Sequence, residues 1–118
     1  MTASVRARKV VAARMEKLCD SCCHIYINCT SVGMSPKVEA SPIDGLGVEF
    51  AAGTVVFDTI YNPVETKFLK SAREAGAKVI SGVEMFVRQA GRQFEEWVGY
   101  AASVGVMRSV IEERLSKR

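Results

Sequence analysis

The chain has 118 residues, a formal net charge of +3, and 48% hydrophobic against 25% charged residues. That balance suits a single folded domain over residues 1–118 and excludes a disordered or fibrous chain. The mild charge, without an aromatic binding platform, predicts no nucleic-acid partner. No apolar run approaches the roughly 18 residues of a membrane span, and the N-terminus lacks the apolar core of a secretory signal, so a cytoplasmic location is expected.

Residues 4–18 place Val10, Val11, Met15 and Leu18 near one helical face and Arg6, Arg8, Lys9, Arg14 and Lys17 on the remainder, which predicts an amphipathic helix with a solvated basic face. Cys19, Cys22, Cys23 and Cys29 follow, with His24, the only histidine, among them. Cys19-Asp20-Ser21-Cys22 has the spacing of a zinc half-site or a redox pair. A closed zinc site takes four ligands, normally from two separated pairs, and there is no distant second pair. The cysteines are therefore read as reduced thiols, with no metal site. Ile25-Tyr26-Ile27-Asn28-Cys29 reads as a strand, with Cys29 as a small buried hydrophobe.

Thr30 to Pro36 is loop chemistry, and Pro36, Pro42, Gly45, Gly47 and Gly53 predict mostly irregular structure up to residue 53. Gly45-Leu46-Gly47 begins like a dinucleotide fingerprint but lacks the third glycine and does not lie between a strand and a helix. Thr54–Asp58 is the second predicted strand; its apolar run Val55-Val56-Phe57 suggests a parallel sheet covered on both faces. A helix is predicted to start at Asn62 as N-cap with Pro63 in the first helical position, burying Phe68, Leu69, Ala72 and Ala75 and stopping at Gly76. Lys78-Val79-Ile80 is a third short strand. From Val83 to about Gly99 a long helix puts Val83, Val87, Ala90, Phe94 and Trp97 on one stripe. A last helix over 103–116 aligns Val104, Met107, Ile111 and Leu115. Strands alternating with helices define an α/β class, with a small parallel sheet of about three strands flanked by helices.

In such sheets ligands bind beyond the carboxyl ends of the strands. Asn28, Thr30, Asp58, Tyr61 and Gly82 fall there, and Met85 and Gln89 share one face of the helix that follows. Each has a plainer reading: Asn28 and Thr30 capping a turn, Asp58 bonding nearby backbone amides, Tyr61 and Met85 in the core, Gln89 as a helix-edge amide. Glu95-Glu96 and Glu112-Glu113 read as solvated pairs.

Several motifs, in order, resemble the shikimate dehydrogenase family. Asn28-Cys29-Thr30-Ser31-Val32-Gly33-Met34-Ser35-Pro36 is similar to its N-x-T-x-x-G-M-x-P loop, and Ser41-Pro42 to the Ser-Pro that follows it. Val56-Phe57-Asp58-Thr59-Ile60-Tyr61-Asn62-Pro63 with Thr66 is similar to V-F-D-x-x-Y-x-P-x-x-T, and Gly82-Val83-Glu84-Met85 with Gln89 to G-x-E-M-x-x-x-Q. Phe86, Arg88 and Ala90 look most like the fused dehydroquinase–dehydrogenase proteins.

The resemblance implies part of a Rossmann-like domain from the C-terminal, NADP-binding portion of an enzyme that interconverts 3-dehydroshikimate and shikimate with NADP(H). It implies that Asn28, Thr30 and Met34 line the cofactor path, that Gly82 and Met85 flank the nicotinamide, and that Tyr61 and Gln89 face the substrate, a role that suits an amide able both to donate and to accept. The family's acid–base lysine and aspartate belong to an N-terminal domain that precedes everything matched here, and its glycine-rich turn has no counterpart. Lys67 and Lys70 lie on a polar helix face and are no substitute. No catalytic residue is assigned, NADP binding is expected to be weak or nil, and the chain alone is expected to be inactive. The alternative is a non-catalytic interaction module built on the same fold. The stripe Val104, Met107, Ile111 and Leu115 is expected to be exposed or covered by another chain, giving a homodimer or higher oligomer.

Overall fold

The computed structural model describes residues 11–18 and 23–117. Three parallel strands, β1 (Ile25–Asn28), β2 (Val55–Asp58) and β3 (Lys78–Ile80), lie in that spatial order. The register sets Tyr26 beside Val56 and Asn28 beside Asp58, with Val79 on the far side of Val56. Among the described residues there are three α-helices: α1 (Lys67–Glu74) between β2 and β3, then α2 (Gly82–Val98) and α3 (Val104–Ser116). The expected α/β class with a small parallel sheet is what forms.

The core is one-sided. Tyr26 and Val56 point to the face that α1 covers with Phe68, Leu69 and Ala72. Phe50, from the long β1–β2 connection, wedges edge-on between Tyr26 (5.2 Å) and Phe68 (5.8 Å). The alternate residues face the other way: Ile25 is 61% and Ile27 56% exposed, beside half-buried Val55 and Phe57. The expectation of a sheet covered on both faces is thus corrected. The reason is that, among the described residues, α2 packs chiefly on α3 and leaves the second face of the sheet partly uncovered.

Local differences follow from what each segment can bury. Within the predicted helix 4–18, residues 11–14 are not helical and Met15–Leu18 form a single 3-10 turn; residues 4–10 lie outside the described residues. Val11 is 66% and Met15 46% exposed, and a short helix with little burial is marginal in water. Cys29 lies one residue beyond β1 and is exposed, not buried in the strand, and Cys23 is half-buried under the core. Cys19 and Cys22 lie outside the described residues.

The helix expected from Asn62 begins instead at Lys67, because Thr66 is its N-cap: the Thr66 hydroxyl accepts from the Leu69 amide. Pro63 lies in the bend that precedes this cap, outside the helix. Gly76, at φ +83, follows the helix end as its composition predicts.

The apolar stripe of α2 is buried only in its first half, at Val83 and Val87; Phe94 is 38% and Trp97 80% exposed. Gly91 is buried instead, and a Cβ there would stand 3.1 Å from Val104 Cγ2, so α3 crosses close at this glycine. The α3 stripe is corrected too: Val104, Met107, Ile111 and Leu115 are half-buried, and the exposed apolar residues are Val106 and Val110. Glu95 is not simply solvated; its carboxylate accepts from the Ala102 amide in the turn between the helices.

The two helices are also clamped by charge. Glu84 accepts from Arg88 one turn on and pairs with Arg108 of α3 at 2.6 Å. The Arg88 hydrogen bond, assisted by the field of Arg108, holds the Glu84 carboxyl below its ordinary value of 4.5, against the opposing effect of desolvation. A carboxylate with a depressed native pKa stabilises the fold above its unfolded-state pKa, and that contribution disappears as pH falls through the native value. The urea midpoint of the native chain should therefore drop more steeply below pH 4.5 than that of a Glu84→Gln variant. Parallel acid limbs in the two titrations would remove the clamp from the account.

Candidate functional site

The carboxyl ends of β1 and β2 meet at Asp58, which is fully buried. Its Oδ1 accepts from Asn28 Nδ2 (3.1 Å) and from the Ile60 amide (3.0 Å), and its Oδ2 from the Thr66 hydroxyl (2.7 Å). One carboxylate thereby joins both strands, the turn after β2 and the cap of α1. Asn28 extends the network: its Oδ1 accepts from the Thr30 amide (3.0 Å) and hydroxyl (2.7 Å), and Thr30 Oγ1 accepts from the Val32 amide. The Ser35 amide then bonds the Asn62 carbonyl and ties the two post-strand loops together.

Between those loops lies a cleft of ≈390 Å³, lined by Thr30, Ser31, Met34, Ser35, residues 59–62 and Leu115 of α3. Of the residues singled out in the sequence, Thr30, Met34 and Tyr61 share this cleft. Asn28 sits behind it, buried, shaping the loop. Gly82 is buried under the turn after β2: a Cβ there would fall 2.2 Å from the Ile60 carbonyl oxygen, so the glycine is required for the start of α2 to seat against this turn. Met85 is half-buried and Gln89 exposed, further along α2. The Tyr61 ring stacks on Phe86 of α2 at 4.8 Å and 26°. The pair floors a second, open cleft of ≈870 Å³ whose wall is the last two turns of α3, with Ile111, Arg114 and Leu115 among its residues. Neither Met85 nor Gln89 lines either of these two clefts.

Three roles escape a reading of the sequence. Asp58 is a hub rather than a binder of amides alone, a role signalled only by Thr66 at the end of its motif. Phe86 partners Tyr61. Leu115 reaches both clefts from a distant helix, which no local pattern announces.

The smaller cleft offers hydroxyls, backbone groups, a thioether and a phenol, but no lysine, histidine or carboxylate. It can bind and orient a ligand; it holds no evident proton donor–acceptor pair for catalysis near neutral pH. Gly45 and Gly47 have left-handed φ of +74° and +65°, yet they sit in the β1–β2 connection, not at a strand-to-helix turn. Those two glycines therefore form no phosphate-binding turn between a strand and a helix. Among the described residues no group of three His, Cys, Asp or Glu side chains is placed to hold a metal, and no helix is long and apolar enough to cross a membrane.

This arrangement is that of a Rossmann-like α/β piece with a cleft at the strand ends. The family it matches is that of the shikimate dehydrogenases. The NADP(+)-type shikimate dehydrogenase of Geobacillus kaustophilus is 46% identical over 94 residues, which are 79% of this chain and 33% of that protein. A chorismate mutase/shikimate 5-dehydrogenase fusion protein from Clostridium acetobutylicum superimposes with a TM-score of 0.68 at 40% identity, covering 80% of this chain and 36% of that one. Shikimate 5-dehydrogenase from Thermus thermophilus, solved with NADP(H) and shikimate, gives a TM-score of 0.70 at 28% identity over 87% of this chain and 37% of that one. No family model matches the chain. The chain spans about a third of the length of the curated relatives it matches.

The Asp58 network sets a clear expectation for stability. Asp58→Asn would turn an amide N–H toward groups that now donate, and should lower unfolding free energy by roughly 2–4 kcal/mol. Urea denaturation of the two proteins measures this; a loss under ~0.5 kcal/mol would mean the network does not hold the edge together.

Proposed function

We propose that this chain is the C-terminal, cofactor-side portion of an oxidoreductase that interconverts 3-dehydroshikimate and shikimate with NADP(H), and that it is inactive by itself. The observation that carries the reading is the cleft where Thr30, Met34 and Tyr61 meet, within a segment 46% identical to a shikimate dehydrogenase. Reducing a ketone needs its oxygen polarised and protonated as hydride arrives, and the cleft carries no evident group for that step. In the complete enzyme Asn28, Thr30, Met34, Gly82 and Met85 would serve the cofactor side, and Tyr61 and Gln89 the substrate side, in a cytoplasmic protein. Asn28 and Gly82 would act from behind, through the loop and turn they hold.

Two measurements test this. The purified chain should show shikimate-dependent NADPH formation below about a thousandth of the ~10 s⁻¹ typical of enzymes. Fusing the unmatched part of the Geobacillus kaustophilus enzyme ahead of it should restore turnover. Activity of the chain alone, or an inactive but folded chimera, would overturn the proposal.

A second reading, a non-catalytic module that docks on a partner, draws on the apolar residues left open: Trp97 is 80%, Tyr100 75%, Val106 62% and Val110 52% exposed. On either reading we expect a homodimer or higher oligomer through α3, by way of Val106 and Val110. Sedimentation should show mass rising with concentration, and Val106→Ser with Val110→Ser should abolish the rise. A concentration-independent monomer would refute it.

A further inference from the structure

We propose that the open cleft floored by Tyr61 and Phe86 binds a small ring compound carrying one carboxylate, and that Arg114 of α3 is the residue that holds the carboxylate. The choice of shikimate as the natural example rests on the functional reading above; the site itself rests on the side chains of the cleft.

The two clefts at the strand ends share Tyr61 and Leu115 but differ in chemistry. The smaller offers hydroxyls and backbone groups and no charged side chain. The larger sets an aromatic floor against a wall of α3 that carries Ile111, Arg114 and Leu115. Tyr61 and Phe86 stack at 4.8 Å, yet both stay exposed, so ring surface remains for a third ring to lie against. At ≈870 Å³ the cleft falls within the roughly 300–1,000 Å³ usual for small-molecule sites.

The charges of that wall do not cancel. Arg88 and Arg108 pair with Glu84, Arg92 pairs with Glu96, and Lys117, just beyond α3, pairs with Glu113. Of the basic side chains on these two helices, Arg114 alone has no carboxylate partner among the described residues. The cleft therefore keeps one positive charge, on a fork of N–H donors that matches the two oxygens of a carboxylate. A phosphate dianion fits less well. One cation offsets only one charge, and the wall is the C-terminal, negative end of the α3 dipole. A ring acid uses both halves of the cleft at once: its ring lies on the aromatic floor and its carboxylate meets Arg114. The Tyr61 hydroxyl can donate to, or accept from, a hydroxyl on that ring.

The test titrates the isotope-labelled chain by NMR with three probes: shikimate, its methyl ester and benzoate. Shikimate should give saturable shifts at the amides of Tyr61, Phe86 and Arg114, with a Kd of about 1–10 mM. The methyl ester keeps the ring and lacks the charge, and should bind about tenfold more weakly or worse. Arg114→Gln should weaken the acid about tenfold and leave the ester unchanged. Arg114→Lys keeps the charge without the fork and should recover part of the loss. Arg114 is exposed, so both variants should keep the fold. Tyr61→Ala should weaken acid and ester alike. The proposal is overturned if neither acid gives saturable shifts below ~50 mM. It is equally overturned by acid binding that Arg114→Gln or Tyr61→Ala leaves unchanged, or by equal affinity for acid and ester. Benzoate bound through Arg114, with no response to shikimate, upholds the site and counts against the functional reading. Shikimate turnover by the covalent chimera, with a KM that Arg114→Gln does not move, does the reverse.

Discussion

The buried carboxylate of Asp58 is the point at which this small molecule is tied together. Removing a charge from water costs several kcal/mol, and that cost is offset only because three donors converge on it from separate parts of the chain. Those donors belong to β1, to the turn after β2 and to the cap of α1. With the carboxylate in place, the two strand ends are level, the loop after β1 folds back over them, and a cleft opens at their tips. The cleft at the strand tips is thus a consequence of satisfying one buried carboxylate.

Because the same groups do structural work, the site divides into two layers. Asn28, Asp58, Thr66 and Gly82 form the inner layer: buried, hydrogen-bonded or closely packed. Thr30, Met34 and Tyr61 form the outer layer, exposed where a ligand would meet them. The two readings weighed from the sequence for Asn28 and Thr30, turn-capping or ligand contact, are therefore not exclusive. Both residues build the turn, and only Thr30 lines the cleft.

How much of this was legible in the sequence depended on the range of the interaction. Strands with β-branched runs, the stop at Gly76 and the long helix ending at Gly99 are set by nearest neighbours, and they form where expected. The start of α1 was misplaced because Asn62-Pro63 is a good local signal that loses to a tertiary one, Thr66 anchored on Asp58. The burial of α2 and α3 was misjudged because periodicity gives the apolar face of a helix, not what stands opposite it. The aromatic wedge of Phe50 and the reach of Leu115 were invisible because both cross long stretches of sequence. Of the seven candidate ligand residues, the three on the post-strand loops are gathered in one cleft; those on α2 depend on how a long helix is rotated and tilted, which spacing does not fix.

The placement of Leu115 has a consequence for how the cleft would respond to its surroundings. This side chain lines the small cleft from α3, while the loops after β1 and β2 line the remainder. The helix that bears it packs on α2, at Gly91 and through the bridge from Glu84 to Arg108. A shift of α3 against α2 would therefore carry Leu115 toward or away from Tyr61 and change the width of the gap they share.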